Sequence, residues 1–187
     1  AMLNSLRDAD LKFPYGSGDL EGEGPILDFV GVNYYTRFVL SFNLLKEALQ
    51  VSLGSKAPNQ AAEEAVGEGL ETTKMGYEVY PEGFRKALEM VRNFDLPVYI
   101  TENGISTEED EQRQRFLKTH LGVIADAIED GIDVKGYFYW STIDNFEWDS
   151  GFEQRFGLIS VDYETQERNV RESAKVYKKI IDGEIEV

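Results

Sequence analysis

Three short, nearly uninterrupted apolar runs, Leu27 to Tyr35, residues 97–102 and Val134 to Trp140, alternate along this chain with segments of helical period. Runs of that length, rich in Val, Ile, Tyr and Phe, read as strands buried on both faces, the kind that parallel sheets use. Between the first two runs Pro81 suits the first position of a helix, and Phe84, Leu88 and Val91 recur on one face up to about Asn93. Between the second and third, Ser106 and Glu109 have capping-box spacing. They predict a helix over 107–130 with Leu117, Leu121, Ile124 and Ile128 as its apolar stripe and Gly131 as its stop. A last helix is predicted over roughly 170–181 with Val176, Ile180 and Ile181 on its inner side. Strand, helix, strand, helix, strand, helix implies parallel βα units.

Two stretches stand outside this alternation. Residues 1–26 hold Pro14, Gly16, Gly18, Gly22, Gly24 and Pro25 among polar neighbours and read as a loop or arm. Residues 36–76 begin apolar, then drift into a polar Gly- and Ala-containing stretch, and read as a long loop excursion. At 187 residues and 42% hydrophobic content the rest can bury one core, so 1–187 is expected to be a single domain.

The formal charge of −16, from 35 acidic against 19 basic side chains, repels phosphate backbones and anionic lipid, so nucleic acid and membrane are poor partners. The chain has no cysteine, hence no disulfide, no thiolate nucleophile and no cysteine metal site. No metal-ligand spacing appears, and neither metal nor other cofactor is expected. No apolar run approaches the roughly 20 residues of a membrane span, and the N-terminus lacks a signal-peptide layout. The expected location is cytoplasmic.

Chemistry concentrates at two strand ends. The run Pro97-Val98-Tyr99-Ile100-Thr101 leads straight into Glu102, then Asn103-Gly104, which puts a carboxylate at the carboxyl end of a strand, where α/β folds place their reacting groups. The third run passes through Trp140 into a loop that holds Asp144, Glu147 and Trp148. Aromatic faces beside carboxylates suit sugars, whose rings have an apolar C–H face and a hydroxyl rim. The alternative is that Trp140 and Trp148 pack in the core and Glu147 is a solvated charge. His120, the single histidine, falls inside the predicted helix 107–130 and reads as structural or solvated.

The segments Asp28-Phe29-Val30-Gly31-Val32-Asn33-Tyr34-Tyr35, Gly76 to Gly83, Ile100 to Gly104, 136–148, and Arg155-Phe156-Gly157-Leu158 running into Val161-Asp162-Tyr163 together resemble the C-terminal part of a family 1 glycoside hydrolase, the β-glucosidase and β-glycosidase family. The resemblance covers nearly the whole chain. It implies an α/β fold that is part of a (β/α)8 TIM barrel, with these runs as strands six to eight. It also implies a retaining β-glycosidase acting on O-glycosyl bonds of β-glucosides or other sugars. By the same resemblance Glu102 is the nucleophile and Tyr35 the group that orients it. Asn33, Trp140, Glu147, Trp148 and Phe156 are then substrate-binding.

A retaining glycosidase uses two carboxyls about 5–5.5 Å apart. The resemblance puts the acid/base in an Asn-Glu-Pro motif, and none of the five prolines here follows Asn-Glu. About three of the barrel's eight units are present, which leaves sheet edges to be covered. The expectation is a chain inactive alone, completed by the missing N-terminal half of the barrel or by self-association. The alternative is a non-catalytic carbohydrate-binding or truncated self-associating half-barrel module.

Overall fold

The computed structural model describes residues 10–13, 16–19, 27–43, 48–53 and 70–187. Its centre is a three-stranded parallel sheet of β3 (Val30–Tyr34), β6 (Val98–Asn103) and β7 (Val134–Tyr139), with β6 between the other two. Helix α1 (Pro81–Arg92) precedes β6, α2 (Asp110–Glu129) joins β6 to β7, and α3 (Glu172–Ile181) closes the chain. The predicted order is therefore present. Three antiparallel hairpins decorate it: β1 (Asp10–Phe13) with β2 (Gly16–Asp19), β4 (Phe38–Asn43) with β5 (Ala48–Leu53), and β8 (Ile159–Val161) with β9 (Arg168–Val170). The first two lie in the stretches expected as a loop or arm and as a loop excursion. The remainder of those stretches up to residue 69 lies largely outside the described residues.

Alternation along the parallel strands separates two faces. Val32, Tyr34, Val98 and Ile100 are buried against Phe84 and Leu88 of α1 and Ile124 and Ala127 of α2. On the other face Phe29 and Phe138 are more than half exposed, and Asn33 and Thr101 are exposed to solvent. A second cluster, Ile105, Phe116, Leu117, Tyr139 and Leu158, lies between α2, β7 and the start of the β8 hairpin, with Ala174 and Tyr177 of α3 against it. Pro81 opens α1, its missing N–H falling where a helix has no internal acceptor. Gly131 ends α2 with φ 85°, a left-handed conformation that a side chain disfavours.

The capping box does not form. Helix α2 starts at Asp110, with Glu109 as its N-cap and no side-chain cap bond. Ser106 Oγ instead donates to Gln154 Oε1, 2.7 Å, across the chain. The apolar stripe is also shorter than expected, because Ile128 is half exposed beyond the end of the core.

Asp110 has a larger task. Its carboxylate accepts from Ser173 N–H at 2.8 Å and Ser173 Oγ at 2.7 Å, capping α3 from a different helix. Arg113, fully buried, donates to Asp110 at 2.7 Å and to the carbonyls of Thr107 and Arg155 at 2.8 Å each. Burial pushes the Asp110 carboxyl up, but the Ser173 donors and Arg113 outweigh it and hold it below the ordinary carboxylate range.

His120 is a correction to the solvated reading. It is fully buried, its ring stacked on Phe116 at 3.8 Å between centroids and near Phe84 at 5.7 Å. Nδ1 lies 3.0 Å from the Phe116 carbonyl, which can only accept, so Nδ1 carries the proton, while the buried Nε2 has no acceptor for a second one and the ring is neutral. Burial depresses its pKa to about 4. No helix among the described residues is long and apolar enough to cross a membrane.

Two outcomes follow from these buried groups. Asp110→Ala uncaps α3 and strands the Arg113 charge, and urea unfolding should show a loss of about 3 kcal/mol. For His120, the unfolded chain takes up a proton below about pH 6.5 while the folded chain does not until about 4. Stability should fall as pH drops through that window, by up to about 3 kcal/mol. His120→Gln should flatten that part of the pH profile, leaving the carboxylate contribution; an unchanged slope would reject the buried neutral ring.

Candidate active site

The carboxyl ends of the three parallel strands are tied together by the backbone and one amide. Asn103, fully buried, donates from Nδ2 to the Tyr34 carbonyl at 2.7 Å and accepts from Tyr137 Oη at 2.9 Å. Its own carbonyl accepts from Trp140 N–H at 2.9 Å. One residue on, a Cβ at Gly104 would lie 1.7 Å from the Trp140 carbonyl oxygen, so only glycine lets the two strand ends approach this closely. The Trp140–Ser141 peptide bond is cis.

That arrangement places Glu102 beside Tyr35. Tyr35 Oη donates to Glu102 Oε2 at 2.8 Å. Burial, then this hydrogen bond, then the charges of Glu102 and Glu147 push the Tyr35 hydroxyl far above the usual tyrosine range. Tyr35 therefore keeps its proton and aims it at Glu102, fixing the orientation of the carboxylate. The Tyr35 ring in turn meets Phe156 edge to face, with centroids 6.1 Å apart.

Beyond Trp140 the loop returns over the strand ends. Glu147 N–H donates to the Gly151 carbonyl at 2.7 Å, closing a short 3-10 turn over Trp148–Ser150. Asp144, in the same loop, is fully buried. Around these groups lies a cavity of about 460 Å³ lined by Tyr35, Met75, Tyr77, Glu102, Trp140, Asn145, Phe146, Glu147, Trp148 and Phe156. Burial and then the Glu147 charge raise the Tyr77 hydroxyl, and Tyr35 feels the charges of both Glu102 and Glu147 in this space. The cavity offers aromatic faces for an apolar surface and carboxylate oxygens that accept hydrogen bonds from hydroxyls. Among the described residues no cluster of three or more acidic or histidine side chains is arranged to hold a metal ion.

Six of the seven residues expected at the site line this cavity: Tyr35, Glu102, Trp140, Glu147, Trp148 and Phe156. Asn33 does not. It is exposed on the open sheet face, where its Oδ1 accepts from Thr101 Oγ1 at 2.6 Å. The core-packing reading of the tryptophans fails for Trp148, which is 83% exposed. Met75, Tyr77, Asn145 and Phe146 also line the cavity. They fall in loops, where no period marks which way a side chain turns, although Tyr77 and the loop 136–148 belong to segments whose pattern stood out.

Known proteins resemble this chain in both sequence and structure. The family model described as glycosyl hydrolase family 1 matches residues 17–185. A β-galactosidase from Saccharolobus solfataricus is 43% identical over 163 residues, 87% of this chain and 32% of the relative. A 6-phospho-β-galactosidase from Lacticaseibacillus casei is 36% identical over 182 residues, 85% of this chain and 38% of the relative. Among solved structures, a β-glycosidase from Pyrococcus horikoshii superposes with a TM-score of 0.75 at 40% identity, covering 95% of this chain and 39% of that one. The chain thus spans between about a third and two fifths of the length of these relatives. With a match of that extent on both sequence and structure, the chain belongs to glycosyl hydrolase family 1.

Proposed function

We propose that this chain is the nucleophile-bearing part of a retaining β-glycosidase, comprising strands six to eight of the barrel, and that the acid/base lies on the part of the relatives it does not span. The observation that carries the reading is the Tyr35–Glu102 hydrogen bond of 2.8 Å inside a cavity walled by Trp140, Glu147, Trp148 and Phe156. The sugar ring stacks on Trp140, and its far hydroxyls donate to Glu147 beside Trp148. Glu102 attacks the anomeric carbon as the glycosidic bond breaks, and the aglycone oxygen takes a proton from the acid/base. Water, deprotonated by that same group, then displaces Glu102 and releases the sugar.

The open face of the sheet, with Phe29 and Phe138 exposed, supports the view that the missing barrel half covers it. Asn33 becomes a substrate contact only if that half brings a ligand to the open face. Without the acid/base the chain lacks a contribution of typically 10²–10⁴-fold and is inactive alone. The cytoplasmic location expected from composition belongs to the same proposal.

Supplying the missing strands, on a second chain or in a full-length protein, should give hydrolysis of an aryl β-glucoside that Glu102→Gln abolishes. Full activity in that variant rejects Glu102 as nucleophile. The chain alone should bind glucose or cellobiose at millimolar affinity by calorimetry, and Trp140→Ala should remove the heat.

The charge of the cavity narrows the substrate. Among the described residues its lining holds two carboxylates and no arginine, lysine or histidine, so a phosphate dianion is repelled where a hydroxyl is accepted. One relative is named for a 6-phospho sugar and another is not. On the cavity's charge, glucose should bind about tenfold or more tightly than glucose 6-phosphate at low salt. Equal or reversed affinities would place this chain with the phosphosugar enzymes.

A further inference from the structure

The loop that carries Trp140, Glu147 and Trp148 has few means of holding its shape. Trp148, Phe146 and Phe152 are exposed, so little apolar burial fixes it. What fixes it is Asp144, a carboxylate with no exposed side-chain surface. Its Oδ1 accepts from Gly157 N–H at 2.8 Å and from Arg171 Nη1 at 3.0 Å. Its Oδ2 accepts from Arg171 Nη2 at 2.9 Å and from Val161 N–H at 3.3 Å, with Arg155 Nη1 at 3.5 Å. Backbone pairs carry the same join: Leu158 N–H to Ser141 O at 2.9 Å, Ile159 N–H to Thr142 O at 2.9 Å, and Asp144 N–H to Ile159 O at 3.0 Å.

The other end of the clamp is Arg171, the N-cap residue of α3. Its guanidinium forks onto both Asp144 oxygens and also donates to the Gly157 carbonyl. Its own N–H donates to Leu158 O at 3.0 Å. A planar fork on a carboxylate fixes angle as well as distance, which a lysine does not do. Asp144 lies four residues after Trp140 and three before Glu147, and Gly157 follows Phe156 directly. One buried carboxylate thus acts, beside these backbone pairs, on the spacing between the two walls of the cavity.

We infer that Asp144 and Arg171 are positioning residues for the sugar site: they touch no substrate, and through the 141–147 loop they hold Trp140, Glu147 and Trp148 at the right distance from Phe156 and Glu102. The inference rests on the sugar-site reading above. Its consequence is that weakening the clamp costs sugar affinity out of proportion to stability, because the walls part before the core melts.

The test is cellobiose titration of the chain, run beside urea unfolding, for Asp144→Asn, Arg171→Lys and a control, Leu88→Ala, which opens a cavity in the core under the sheet's opposite face. Asp144→Asn should lower cellobiose affinity about tenfold or more, Arg171→Lys by less, and Leu88→Ala by no more than about twofold despite a lower unfolding midpoint. If Asp144→Asn does not fold, Arg171→Lys alone carries the comparison with the control. Affinity within about twofold of the unsubstituted chain in the clamp variants, or an equal loss in Leu88→Ala, overturns the inference while leaving the sugar site standing. If the unsubstituted chain binds no cellobiose, the sugar-site reading falls and the positioning role falls with it.

Discussion

The parallel pairing of β6 with both of its neighbours is the constraint on which the site rests. Register sets Tyr34 against Asn103 on one side and Asn103 against Tyr139 on the other. The residues that follow those rungs, Tyr35 and Trp140, then flank Glu102. A one-residue slip would turn every side chain of a strand to the other face. Tyr35 would leave the carboxylate, and Val32 and Tyr34 would leave the core under α1. The same register that buries apolar side chains on one face therefore assembles polar chemistry at the end of the sheet.

An acidic chain needs a reason to bury acids, and here Glu78, Asp110 and Asp144 each meet an arginine. Glu78 is fully buried and meets Arg37 Nε at 2.7 Å, with the guanidinium also over the Tyr80 ring. Asp110 supplies the first-turn acceptor that α3 lacks, and the Arg113 charge balances it. Such pairs add little stability compared with well-packed apolar residues. Their effect is directional, since a carboxylate with several donors admits one arrangement of the segments that bring them.

What the sequence reveals here is what local period and turn chemistry encode. The apolar spacing of Phe84 and Leu88 with Pro81 ahead of them marks α1 to within a residue or so, and the runs around Val32, Ile100 and Tyr139 mark the strands. Long-range partners are invisible at that level. Ser106 has an N-cap's identity, yet Gln154 claims its hydroxyl. His120 looks peripheral beside the apolar stripe, but aromatic rings from α1 and α2 enclose it. Trp140, Glu147 and Trp148 could be placed in the cavity because they stand in a segment of recognisable pattern. Met75 and Phe146 could not be assigned a direction, since the loops that carry them take their conformation from contacts distant in sequence. Asn33 marks the other limit, because its position on an exposed face depends on which strand edge the sheet leaves open.

The contact between Gly104 and the Trp140 carbonyl makes one rigid body of two parts that a ligand would feel separately. Trp140 N–H holds the Asn103 carbonyl, and the next residue has no side chain to act as a spacer. No compressible layer lies between the aromatic surface and the strand that bears Glu102. A ring pressing on the indole therefore pushes on the carboxylate's own backbone, and the pocket meets its ligand as a solid corner, without the give of two independent walls.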